Sequence, residues 1–204
     1  MVEMIEVEIK IKLSDNPDEL SKIVSLLERD GFHLGTITRE TDVYFNSKTR
    51  DFRETDEALR LRRTENLGSG YLIADNELSD GEVEVLSEIT YKGKKLDDIS
   101  MSRLELSSRI VDYDDMKAIL EALGYYPVTP VVKKRKYYHG EEMVACIDDV
   151  EGLGNYMELE IIVDDESKRE KALGLIEKQL ERLGLSMEDT TTISYLSMLE
   201  RRTI

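Results

Sequence analysis

Charged and apolar residues alternate without a break along Glu6-Val7-Glu8-Ile9-Lys10-Ile11-Lys12. A period of two is the period of a strand, so Glu6, Glu8, Lys10 and Lys12 share one face, and Val7, Ile9 and Ile11 share the other. The same alternation returns in Arg60-Leu61-Arg62, around Lys92, in Arg103-Leu104-Glu105 and in Glu158-Leu159-Glu160-Ile161, and Lys133-Lys134-Arg135 likewise sets two bases, Lys133 and Arg135, on one face. Together these patterns predict strands over 4–13, 36–45, 58–64, 85–92, 102–110, 128–138, 142–149 and 154–163. A helical period replaces them over 17–30, 113–123, 166–183 and, briefly, 194–201. Gly31, Gly124 and Gly184 each follow a last helical turn, where a left-handed cap is needed. Two segments lack any period. The stretch 66–84 is acidic, holds Gly68, Gly70 and Gly81, and reads as a long loop or hairpin insertion of the kind that serves as a lid. The stretch 46–55 reads as a second polar loop.

The first two helical units go on matching beyond their glycines. Aligning Gly31 with Gly124 sets Asp42 opposite Arg135, and Tyr44-Phe45 opposite Tyr137-Tyr138, the trace of an internal duplication. Eight strands, each with one alternating face, suit a closed or nearly closed antiparallel barrel in an α+β chain. No stretch has the composition of a linker, so 1–204 is expected to form one domain.

Composition narrows the chemistry. The chain has 204 residues and a formal net charge of −16. That balance argues against general nucleic-acid binding and against anionic membranes, both of which call for a broad basic surface. An anion site here must be local, dense in Lys and Arg, and assisted by cations. No apolar run approaches the ~18 residues that span a bilayer. The opening residues read as strand rather than as a secretory leader. Cys146 is the only cysteine, so a disulfide or a cysteine metal site within one chain is excluded, which fits a reducing cytoplasm. In its apolar run Cys146 reads as a small core residue.

The alternating faces carry the candidate chemistry. A Glu pair on a strand is ordinarily a solvated face. Two pairs, Glu6/Glu8 and Glu158/Glu160, could instead share a hard divalent cation through oxygen alone, which selects Mg2+, Mn2+ or Ca2+ over zinc. Asp148 is open to two readings, a turn residue before Gly152 or a further member of the acid cluster. Lys10, Arg60, Arg62, Lys92, Arg103, Lys133 and Arg135 form aligned basic rows, and the planar fork of Arg suits phosphate oxygens. Lys12 shares the face of Lys10. His33 and His139 belong to no constellation and read as turn or surface residues. There is no Ser/His/Asp or Cys/His set and no Walker-type phosphate loop.

These residues, in this order, resemble the CYTH family, the triphosphate tunnel metalloenzymes. Its N-terminal E-x-E-x-K signature stands as Glu6-Val7-Glu8-Ile9-Lys10, and its Tyr-Phe strand as Asp42-Val43-Tyr44-Phe45. Its A-L-R-x-R strand stands as Ala58-Leu59-Arg60-Leu61-Arg62, and its Lys strand as Thr90-Tyr91-Lys92-Gly93. Lys133-Lys134-Arg135 and Glu158-Leu159-Glu160 complete the set, and Ser194-Tyr195-Leu196 matches the C-terminal helix. The run 120–160 is most similar to the cyclase-related subgroup, that of class IV adenylyl cyclases. The resemblance implies an eight-stranded antiparallel tunnel with a charged interior and helices packed outside. It implies that Glu6, Glu8, Glu158 and Glu160, with Asp148 assisting, bind Mg2+ or Mn2+. It also implies that Lys10, Arg60, Arg62, Lys92, Arg103, Lys133 and Arg135 hold a triphosphate, with Lys12 joining them.

The function expected first is metal-dependent hydrolysis of tripolyphosphate or of an organic triphosphate. A second metal or a basic side chain would activate water, and Lys10 and Lys92 are the candidate catalytic residues. Lys10 would serve if burial lowers its pKa. The alternatives are a class IV adenylyl cyclase, making cyclic AMP and pyrophosphate from ATP, and a non-catalytic polyphosphate or nucleotide sensor. The expected partner is a small-molecule triphosphate, with no nucleic acid and no membrane; a homodimer is compatible with the sequence.

Overall fold

The computed structural model describes residues 5–69, 84–97 and 99–202. Its elements run β1 (Ile5–Lys12), α1 (Pro17–Arg29), β2 (His33–Ser47), β3 (Ala58–Ser69), β4 (Val85–Lys95) and β5 (Arg103–Ile110). Then come α2 (Tyr113–Ala122), β6 (Tyr125–Pro127), β7 (Val131–His139), β8 (Val144–Val150), β9 (Gly154–Val163), α3 (Arg169–Arg182), β10 (Thr190–Thr191) and α4 (Tyr195–Arg202). The sheet order is β1-β5-β4-β3-β2-β7-β8-β9, antiparallel throughout, and β9 returns to pair with β1 along its whole length, from Ile5↔Val163 to Lys12↔Tyr156. Eight strands therefore close a barrel, as the alternation predicts.

The apolar core lies outside that barrel. Val7, Ile9 and Ile11 point outward and are at most 1% exposed, packed with Leu27 of α1 and with Ala172, Ile176 and Leu180 of α3. Burial of each such side chain contributes roughly 1.5–3 kcal/mol as an upper estimate. Phe45 and Leu61 meet Leu120 of α2. The opposite parity of the strands faces inward and is largely charged; on that same parity Val131, Val150 and Tyr156 form a small apolar cluster with Tyr195 of α4. Glu8, Lys10, Glu40, Asp42, Arg60, Arg103, Lys133, Arg135, Asp148 and Glu158 are all buried there.

Local sequence explains where the helices begin and stop. Asn16 caps α1 by accepting from Asp18 N, with Pro17 at the first helical position, and Asp112 caps α2 by accepting from Asp115 N. Gly31, Gly124 and Gly184 take φ of +90°, +91° and +74°, the left-handed conformation their positions require. The two units aligned on Gly31 and Gly124 are neighbours: β2 pairs with β7, and Glu40 stands opposite Lys133, its counterpart in that alignment. Among the described residues no helix is long and apolar enough to cross a membrane.

Several boundaries differ from expectation. β3 continues through Asn66 to Ser69, and Asn66 N donates to Glu84 O at 3.0 Å, so 66–69 belongs to the hairpin and not to a loop. The remaining part of the expected insertion, 70–83, lies outside the described residues. The strand expected over 128–138 starts only at Val131, as β7: Pro130 has no N–H for the ladder, and Val128 N bonds Tyr44 O at 2.9 Å, while β6, just before it, is not among the expected strands. The helix expected over 166–183 begins with a 3-10 turn at Glu166–Lys168. The two-residue β10 has no sequence signal; it pairs with Lys10 and Ile11 of β1.

Candidate functional site

The barrel encloses a cavity of about 600 Å³. Its wall carries three acids brought together from the two ends of the chain. Glu6 and Glu8 come from β1 and Glu160 from β9, and the register Glu8↔Glu160 sets the last two opposite each other. One carboxylate oxygen from each of Glu6, Glu8 and Glu160 lies within 4.8 Å of the other two. Three carboxylates so close repel one another, and burial removes the water that would screen them. Burial, with Glu158 nearby, pushes the Glu8 carboxyl up to about 7 against the pull of Lys10. Burial also raises Glu6 against Lys92, and burial with Glu6 raises Glu160 against Arg135. Glu8 Oε1 is buried, makes no hydrogen bond, and has only a 3.5 Å ion pair with Lys10. An all-oxygen set with an orphaned buried oxygen fits a hard divalent cation such as Mg2+ or Mn2+.

The other two expected metal ligands are committed elsewhere. Glu158 faces Lys10 on β1, with its carboxylate 3.1 Å from Lys10 Nζ, and it also accepts from Arg135 Nη2. Burial would raise its pKa, but Arg135 and Lys10 outweigh burial and hold it well below the usual carboxylate range. Asp148 is fully buried. It accepts from Arg135 Nε and Nη2 at 2.6 Å each, from Lys133 Nζ at 3.3 Å and from Tyr195 OH at 3.0 Å. A carboxylate offers about four lone-pair sites. Asp148 Oδ2 takes three of these donors and Oδ1 one, so the carboxylate is engaged mainly by Arg135, Lys133 and Tyr195.

Lys10, Arg60, Arg62, Lys92, Arg103, Lys133 and Arg135 all line the cavity, as expected. They differ in how fully they are neutralised. Arg62 holds Asp42 with both forks, at 2.6 and 2.7 Å, and reaches Glu40 at 2.9 Å. Lys133 lies 3.4 Å from Glu40. Arg60 is looser: Asp42 is 3.7 Å away, Thr90 Oγ1 accepts at 3.3 Å, and its buried Nε makes no hydrogen bond. Arg103 donates only to the carbonyls of Met101 and Gly93, at 3.4 and 3.3 Å. Among the described residues no carboxylate lies within ion-pair distance of it. Arg60 and Arg103 are therefore the cations freest to grip an incoming anion.

Lys12 is not brought to the cavity, although it shares a face with Lys10. It sits at the barrel's end, 3.2 Å from Asp15, with its ammonium over the Tyr156 ring at 4.7 Å and donating to Leu153 O at 2.9 Å. Lys10 and Lys92 also depart from the role of a neutral base. Burial pulls the Lys10 ammonium down, yet Glu158 and Glu8 outweigh it and raise its pKa. Lys92 is raised in the same way by Glu6 and Glu105. Both are raised, whereas a neutral base would need a lowered pKa. Cys146 is fully buried, as expected of a small core residue, on the parity of β8 that also carries Asp148; burial raises its thiol despite Arg135.

Glu40, Asp42, Tyr137 and Tyr195 complete the network; the sequence places Asp42, Tyr137 and Tyr195 in motifs or in the duplication but assigns none of the four to the site. Tyr137 OH donates to Glu40 Oε1 at 2.6 Å. Burial would raise both β2 acids, but Arg62 with Lys133 holds Glu40 down and Arg62 with Arg60 holds Asp42 down. The alternating row Thr38, Glu40, Asp42, Tyr44 was the available signal. The cavity mouth is partly apolar, with Tyr44, Phe52, Ala58, Ile193 and Leu196 beside Arg53 and Glu200.

A closed antiparallel barrel with an acid triad and a ring of cations inside defines a triphosphate-tunnel fold. The CYTH domain model matches residues 4–195, and the chain belongs to that family. It is 39% identical over 195 residues to a candidate adenylate cyclase of Methanocaldococcus jannaschii, covering 96% of this chain and 98% of that one. A protein of Pyrococcus horikoshii has a similar structure, with a TM-score of 0.80 at 31% identity, covering 97% of this chain and 99% of that one. A Hippeastrum protein described as having a dominant triphosphatase activity shares the fold, with a TM-score of 0.64 at 17% identity over 98% of this chain and 96% of that one.

Proposed function

We propose that this chain works as one domain, a metal-dependent triphosphatase that hydrolyses tripolyphosphate or an organic triphosphate inside the barrel. The observation that carries this reading is the Glu6, Glu8 and Glu160 triad, with oxygens within 4.8 Å, on the wall of a cavity that Lys10, Arg60, Arg62, Lys92, Arg103, Lys133 and Arg135 also line. Glu6, Glu8 and Glu160 would hold Mg2+ or Mn2+, which when bound supplies Lewis-acid polarisation of a phosphoryl oxygen and acidifies water. Arg60 and Arg103, the least neutralised cations, grip phosphate oxygens. Lys10, Lys92, Lys133 and Arg135 offset the negative charge of the phosphoryl group during in-line attack by water. Lys10 and Lys92 are held protonated, so they bind and orient and do not abstract the proton.

A second reading is class IV adenylyl cyclase activity, in which a ribose hydroxyl attacks the α-phosphate. Two observations favour keeping it: the name of the Methanocaldococcus jannaschii relative, and the apolar mouth at Tyr44, Phe52 and Leu196, which suits a nucleobase. Incubating the protein with Mg2+ or Mn2+ and, in turn, tripolyphosphate, thiamine triphosphate and ATP separates the readings. Orthophosphate supports the hydrolase. Cyclic AMP with pyrophosphate supports the cyclase. Binding without turnover would overturn both.

A further inference from the structure

Tyr195 stands at the start of α4, nearly two hundred residues from β1 in sequence, yet its ring forms part of the cavity wall. Lys10 Nζ lies 4.3 Å from the ring centroid and Lys133 Nζ lies 5.4 Å from it. The phenol donates to Asp148 Oδ2 at 3.0 Å, and the ring packs edge-on against Tyr156 at 5.1 Å. Tyr156 in turn faces Lys12 at 4.7 Å. The two rings therefore form a partition across the inward row of β1, with Lys10 on the cavity side and Lys12 outside. This explains why two lysines of the same parity on one strand have different fates.

Lysine ammoniums ride on flexible four-carbon stems. A buried aromatic face attracts a cation without neutralising it, unlike a carboxylate. Lys10 is already ion-paired with Glu158 and Glu8, and Lys133 with Glu40 and Asp148, so the ring helps to fix both ammoniums without neutralising them further. We propose that Tyr195 is a positioning residue of the triphosphate site, holding Lys10 and Lys133 at the cavity wall through its ring and closing the cationic row before Lys12. The proposal rests on the reading of the cavity as a triphosphate site.

The test uses the full chain and two variants, Tyr195→Phe and Tyr195→Leu. The first keeps the aromatic face and loses the bond to Asp148; the second loses both. KM for tripolyphosphate should stay within about threefold in Tyr195→Phe and rise by about tenfold or more in Tyr195→Leu, with Mn2+ affinity unchanged in both. A merely structural residue would lower the amount of active protein and leave KM where it was. Equal KM in wild type and Tyr195→Leu, or equal losses in the two variants, would overturn the proposal. If Tyr195→Leu does not fold, NMR of wild-type protein with 13C-labelled lysine decides. Ring current should move the ε-methylene signals of Lys10 and Lys133 upfield, and their absence from that region overturns the contact. Wild type that neither binds nor turns over any triphosphate would instead defeat the reading of the site, and this proposal with it.

Discussion

Arg135 holds Asp148 with two parallel hydrogen bonds of 2.6 Å, Nε to Oδ1 and Nη2 to Oδ2. The pair is buried, and Lys133 and Tyr195 both donate to Asp148 Oδ2 as well. A buried pair of this kind fixes geometry, and removing one partner strands the other. Asp148→Asn should therefore destabilise the fold by about 3–5 kcal/mol in urea denaturation. Mn2+ affinity should change little. Lost metal affinity at unchanged stability would make Asp148 a ligand after all.

Lys12 and Lys10 make a second contrast. Lys12 is 41% exposed at its side chain and sits outside the cavity, whereas Lys10 is 3% exposed and faces the ligand space. Lys12→Ala should cost no more than about 1 kcal/mol of stability, the range of a surface ion pair. KM for tripolyphosphate should be unaltered in that variant. A rise of tenfold in KM would place Lys12 in the phosphate path.

Lys92 should behave as a cation. Glu6 and Glu105 keep it protonated, at 3.6 Å from Glu6. Lys92→Arg should retain most of the activity, within about tenfold of wild type, while Lys92→Gln loses far more, because charge is kept in one and lost in the other. Equal loss in both, with loss of the ascending limb of the pH profile, would indicate a general base.

Stability without metal should depend on pH with a definite sign. The Glu8 carboxyl titrates at about 7 in the fold against an ordinary value of 4.5. A raised pKa means that its contribution is intact below about 4.5 and is lost as pH rises through about 7, a loss on the order of 3 kcal/mol. Glu40, Asp42 and Glu158 are depressed, so their contributions are present above their ordinary values and lost as the solution is acidified below them. The Tm of chelator-treated protein should fall between pH 5.5 and pH 8, and Mg2+ or Mn2+ should raise Tm more at pH 8 than at pH 5.5. A cation effect independent of pH would contradict this.

The strands and their inward parity were legible because a two-residue period needs no knowledge of the partner strand. Glu6, Glu8 and Glu160 were found in this way, and so were Lys10, Arg60, Arg62, Lys92, Arg103, Lys133 and Arg135, but not Arg53, Lys95 and Arg201, which also line the cavity. What could not be read was pairing across strands. Glu158 looks like Glu160 in sequence, and only the register Lys10↔Glu158 shows that it is taken by an ammonium. Asp42 was read as part of an aromatic strand because Arg62, its partner, lies twenty residues away. Lys12 has the right parity but lies beyond the two tyrosines that end the cavity, and a face gives no sign of where a tunnel stops. Lys10 has a net shift opposite in sign to what burial alone gives, because Glu158 and Glu8 outweigh it.

Whether Glu6, Glu8 and Glu160 form a cation site is tested most directly by Mn2+ binding, followed by electron paramagnetic resonance or calorimetry on the wild type, Glu8→Gln and Glu160→Gln. Each substitution keeps the shape and removes one anionic ligand. Both variants should lose at least about tenfold in Mn2+ affinity, roughly 1.4 kcal/mol, while remaining folded. Wild-type affinity in both would contradict the triad as the metal site.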